Sequence, residues 1–168
     1  MDSAKEKSVV CNQRENQLGA EGSADSMSSK ATSHPAGWIV YDYEIGMLKH
    51  TLNLASKGLD TFQHPIPNAI VESMLLHLRI LIDILLSRCN DSDDIRLQDL
   101  LPSFDSPLLG QLRTKYGNSK AVGTPCWTLN KMLAHPTTLR SASHRYDPLV
   151  HSLVPIVFSL ADEIAKAR

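Results

Sequence analysis

The sequence predicts an all-α protein, a four-helix up-down bundle behind a disordered N-terminal tail. Three observations carry that expectation. Apolar residues recur at helical spacing through most of the chain after Trp38. No segment alternates with the period of two that a half-buried strand shows. No Gly-rich loop stands where a strand would hand over to a helix, so Rossmann and P-loop sites have no support. The 168 residues correspond to about one domain. With 42% hydrophobic residues but only 5% aromatics, its core should be mostly aliphatic.

Residues 1–37 read as the tail, because GAEGSADSMSSKATSHPAG is small and polar with almost nothing to bury. The bundle domain is expected over 38–168. Its first helix follows from Tyr41, Ile45, Leu48, Leu52, Ala55 and Leu59, whose spacing of 4, 3, 4, 3, 4 puts them on one face. Gly58 is placed to end it. TFQHPIPN is a connection broken by prolines, after which Asn68 is expected to cap a long helix running to about Arg88. NDSDDIRLQDLLPSFDSPLLGQLRTKYGNSKAVG reads as a long link containing short helical turns. Thr124 then Pro125 is an N-cap followed by a first-turn proline, the start of a short third helix. That helix ends by His135, since Pro136 disfavours helical geometry in the residue before it. Asp147 and Pro148 repeat the start signal for a last helix marked by Leu149, Leu153, Ile156, Leu160 and Ile164. Pro155 inside that helix is expected to kink it.

A net charge of −1 gives no field that draws in nucleic acid or an anionic membrane, so any such binding must be local. Cys11, Cys89 and Cys126 are far apart and lack CxxC spacing, which points to neither a disulfide framework nor a zinc site. MDSAKEKSVVCNQREN holds no apolar run of signal-peptide length. The longest apolar segment, AIVESMLLHLRILIDILL, is interrupted by Glu72, His77, Arg79 and Asp83. A membrane span carrying those groups would be costly, so the segment reads as a core helix. A cytoplasmic protein with no membrane contact, metal or cofactor is therefore expected.

On that second helix Glu72, Arg79 and Asp83 fall within roughly 20° of one direction and form a narrow polar stripe. Two readings stay open. In one, the stripe faces solvent and Arg79–Asp83 is an i,i+4 pair with the cation first, the weaker orientation. In the other, it meets Asn130, His135 and Arg140 from the third helix and its end, where buried charges find partners. His77 lies about 140° from the stripe and reads as a satisfied core or interface residue. Glu72, His77 and Asp83 cannot reach one metal from a straight helix.

The stretch LNKMLAHPTTLR concentrates Asn130, Lys131, His135 and Arg140. His135 stands at a helix C-terminus, where the macrodipole favours the protonated imidazole. Thr137 or Thr138 can orient the following turn, and Arg140 can reach an acidic partner such as Asp94.

The order ESMLLHLRILIDILL, DDIRLQDLL, LNKMLAHPTTLR ahead of a long final helix resembles small bacterial helical proteins of the HEPN-like kind, from Trp38 to the C-terminus. The resemblance implies a helical bundle that pairs through its helices as a homodimer, in a superfamily rich in RNA-cleaving toxins and defence proteins. Its active nucleases carry an arginine, a polar residue and a histidine about one turn on. Thr128, Leu129 and Asn130 stand where His135 would need that arginine. Arg145 and His151 in RYDPLVH fit the spacing, but Arg145 precedes the helix start at Asp147. The expectation is a non-catalytic binding or accessory module, linked to RNA or to defence systems. Its polar site would comprise Glu72, Arg79, Asp83, Asn130, His135 and Arg140, with RNA or a nucleotide-like molecule as ligand. Two alternatives remain: a metal-independent ribonuclease using His135 or Arg145 with His151, and a structural bundle with no ligand.

Overall fold

The computed structural model describes residues 35–88, 91, 93–134 and 146–168. Residues 1–34 of the expected tail and the residues His135, Thr137, Thr138, Arg140, Arg145 and Cys89 lie outside them, whereas residues 35–37, also expected in the tail, belong to the first helix. Regular structure among the described residues is all helical, with no strand. It comprises α1 (Pro35–Ser56), a 3₁₀ turn (Leu59–Thr61), α2 (Ile66–Leu85), α3 (Leu97–Leu100), α4 (Pro107–Tyr116), α5 (Pro125–Ala134) and α6 (Asp147–Ala167).

Helix α1 starts at Pro35, ahead of Trp38, and buries Trp38, Tyr41, Glu44, Leu48 and Thr51. Gly58, at φ +94, lies just past its end as expected. Asn68 is not the cap of α2. The helix begins at Ile66 with Pro67 in its first turn, where a missing N–H costs nothing. The Asn68 amide instead lies 3.3 Å from His64 Nε2. From Met74 to Leu85 α2 is buried on most sides, because it packs on α1, α5 and α6. It is the central helix, as its apolar content predicts.

Helix α4 replaces the expected link. Ser106 Oγ accepts a hydrogen bond from the Leu108 N–H at 3.2 Å, and Pro107 follows as first residue. Its buried residues are Leu112 and Tyr116, and the helix packs on α6 and α5. So few buried positions, diluted by Gly110 and polar residues, leave little periodic signal. The Ser-Pro start is nevertheless the same kind as Thr124–Pro125, where Thr124 Oγ1 accepts from the Trp127 N–H at 3.2 Å.

Helix α6 continues through Pro155, which is exposed. Its buried line is Leu149, Leu153, Val157, Leu160 and Ile164, with Val157 in the core place expected of Ile156. By length and composition α6 is apolar enough to cross a membrane. Here that apolar line packs on α2 and α4. At its end Arg168 binds both oxygens of Asp42 at 2.9 and 2.8 Å and lies 4.3 Å above the Trp38 ring.

Candidate functional site

The predicted stripe divides. Glu72 is exposed and about 10 Å along the axis from Arg79. Arg79 Nε and Asp83 Oδ2 are 3.6 Å apart on half-buried side chains. Burial raises the Asp83 carboxyl above its usual pKa, against the lowering influence of Arg79 and Arg88.

Asp83 in turn acts on Tyr116 at the end of α4. Burial, then the Asp83 charge and a contact with Cys126, push the Tyr116 hydroxyl well above the usual phenol range. Cys126, in the first turn of α5, is buried and accepts from Asn130 Nδ2 at 3.9 Å. The structure thus brings Arg79 and Asp83 to the same seam as Asn130, through Tyr116 and Cys126. The sequence reading did not single out Tyr116, which belongs to the helix it had taken for a link. Asp94, the acidic partner considered for Arg140, accepts from the Asp91 N–H at 2.8 Å.

Beside this seam a cleft of 270 Å³ lies where α2 and α4 end, lined by Leu86, Arg88, Arg113, Gly117 and Asn118. One Arg88 nitrogen donates to the Gly117 carbonyl at 3.1 Å, and its guanidinium sits 5.0 Å over the Tyr116 ring. Gly117 has φ +74, and a Cβ there would come within 2.9 Å of Thr124, so only glycine fits. A second cleft of 260 Å³ between the starts of α5 and α6 has no charged residue among the described residues that line it. Arg88 enters the sequence pattern only as the approximate end of the second helix, and Arg113 lies in the stretch that reads as a link, so spacing marks neither as a site residue.

The other buried polar contact lies between α1 and α2. His77 Nδ1 and Glu44 Oε2 are 2.6 Å apart, with both side chains 9% exposed. The Tyr43 ring meets the imidazole edge-on at 6.0 Å. His77 is therefore a satisfied core residue, as its place on the helix predicts. Its partner was legible too: Glu44 stands three residues after Tyr41 and four before Leu48, a carboxylate on a core face.

Chemically, the described residues of the seam offer hydrogen-bond donors and acceptors from Arg79, Asp83, Tyr116 and Asn130. The Tyr116 hydroxyl stays protonated and His77 is held by Glu44. Among the described residues no group of three or more His, Cys, Asp or Glu is placed to hold a metal. Comparison of the chain with family models, curated proteins and solved structures gives no match.

Proposed function

We propose that this chain is a non-catalytic helical binding module of the HEPN-like kind, in plan a four-helix up-down bundle. Its ligand is a small polar or nucleotide-like molecule held at the seam of α2, α4 and α5. The observation that carries this reading is the half-buried Arg79–Asp83 pair facing Tyr116 and, through Cys126, Asn130. A few polar groups converging from three helices in an aliphatic surround are what orient a bound polar molecule. Binding is favoured over catalysis because Thr128, Leu129 and Asn130 stand where His135 would need an arginine to stabilise charge on phosphate. The exposed apolar side chains Ile39, Tyr43 and Leu76 on α1 and α2 support pairing of two copies, and the cytoplasm as their location rests on the sequence reading alone. The link to RNA or defence systems rests on the resemblance.

The test is incubation of the purified full chain with labelled RNA and a metal chelator, comparing wild type with His135→Ala and His151→Ala. No cleavage is expected. Cleavage lost in either variant would replace this reading with a ribonuclease using His135 or Arg145 and His151. A thermal-shift panel of nucleosides and nucleotides checks the ligand. A rise in melting temperature that Asn130→Ala abolishes supports the module, and no rise across the panel leaves a structural bundle.

A further inference from the structure

Arg88 and Arg113 face one cleft, and neither forms an ion pair at contact distance with a carboxylate among the described residues. The Arg113 side chain makes no hydrogen bond there either. Arg88 is already positioned by the Gly117 carbonyl and the Tyr116 face. A guanidinium has five N–H donors, so that one bond leaves others unused.

The two helix ends oppose an anion here. Each C-terminus carries a partial charge of about −0.5, so together they offset about one of the two guanidinium charges and leave the cleft net positive. The carboxylate of Asp83, five residues before Arg88, is engaged by Arg79 at 3.6 Å and also feels the Arg88 charge.

We propose that this cleft binds a single oxyanion group, a phosphate monoester or pyrophosphate, clamped between Arg88 and Arg113. Planar guanidinium forks match phosphate oxygens in pairs, which an ammonium does not. The cleft of 270 Å³ admits a phosphate with a small substituent. A polynucleotide needs several cationic contacts spread along a surface, and a chain of net charge −1 offers no such field. Because Arg88 is fixed before the ligand arrives, less of its motion is lost on binding. This inference rests on the reading of the chain as a ligand-binding module and gives the chemistry of the group held beside the seam.

The experiment titrates the full chain with inorganic phosphate and with pyrophosphate at constant ionic strength, following the Gly117 and Asn118 amides by NMR. Sodium chloride is the blank. Saturable one-to-one binding is expected, centred on those amides. Arg113→Gln weakens it by about tenfold or more, and Arg113→Lys falls between. Lys57→Gln, which removes one exposed charge elsewhere, changes nothing. Responses no larger than chloride, or equal weakening by Arg113→Gln and Lys57→Gln, would overturn the clamp. So would a short RNA binding more tightly than pyrophosphate with a steep salt dependence. A nucleoside that raises the melting temperature while phosphate fails to bind would sink the clamp and leave the module. RNA cleavage would sink the module whatever Arg113→Gln does.

Discussion

Tyr41→Phe should raise the stability of this protein, although it removes atoms from the core. The Tyr41 side chain is 4% exposed, and its hydroxyl has no hydrogen-bond partner among the described residues. Burial, followed by the nearby Asp42 charge, raises its pKa, as expected for a hydroxyl deprived of water. An unsatisfied buried hydroxyl costs about 1–3 kcal/mol. Phenylalanine keeps the ring and its edge-on contact with Trp38 at 5.8 Å. Some of the gain is lost to the gap that the oxygen leaves. A net stabilisation of about 1 kcal/mol follows, or about 3–4 °C in melting temperature for a domain of this size. Urea unfolding followed by circular dichroism should show a higher midpoint at unchanged slope. A loss of about 1 kcal/mol would refute the reasoning, because it would mean that water satisfies the hydroxyl.

Asp83 gives a prediction in pH. Its carboxyl is raised above 3.8 by burial, so folding favours its protonated form. That contribution to stability is fully present below the unfolded value and lost as pH rises through the folded one. Asp83→Asn stays neutral throughout, so its stability relative to wild type should climb as pH rises above about 3.8 and level once pH has passed the folded value, measured by urea melts at each pH. A flat or falling difference would show that Arg79 outweighs burial. Breaking the Glu44–His77 pair should be asymmetric. His77→Ala strands a buried carboxylate and costs about 3–5 kcal/mol, whereas Glu44→Ala leaves an imidazole, a group with no obligatory charge, and costs about 1–3 kcal/mol. Equal losses would contradict the burial of Glu44. Leu112→Ala tests α4, since a leucine at 0% exposure should cost about 2–5 kcal/mol in the same melts. A loss below about 1 kcal/mol would mean that α4 does not pack as described.

The long helices were legible because each carries enough apolar positions to show its period. Tyr41, Leu48, Leu153 and Leu160 announce their faces by spacing alone. Helix α4 was not legible, since only Leu112 and Tyr116 are buried over its length and Ser106–Pro107 was its one strong cue. The site was half legible for the same reason. Arg79, Asp83 and Asn130 stand out within their helices, whereas Tyr116 and Arg113 join them only once α4 exists. Pairings between helices, such as Glu44 with His77, depend on how far one helix is advanced past the other. Sequence spacing within either helix does not contain that quantity.

That last pair has a consequence for how α1 and α2 find each other. The α2 side of their shared surface is mostly leucine, isoleucine and methionine, which on its own would tolerate a slip of one turn, about 5.4 Å. Glu44 would not tolerate it. Helix α2 holds one histidine, so a carboxylate slipped toward its C-terminus would face Ile80 and Leu81, and one slipped the other way would meet only Ser73 and Met74. The pair therefore acts as a register key: it adds little net stability when matched and penalises every other alignment. An apolar substitution of both residues should leave the hairpin stable while letting it settle in more than one alignment.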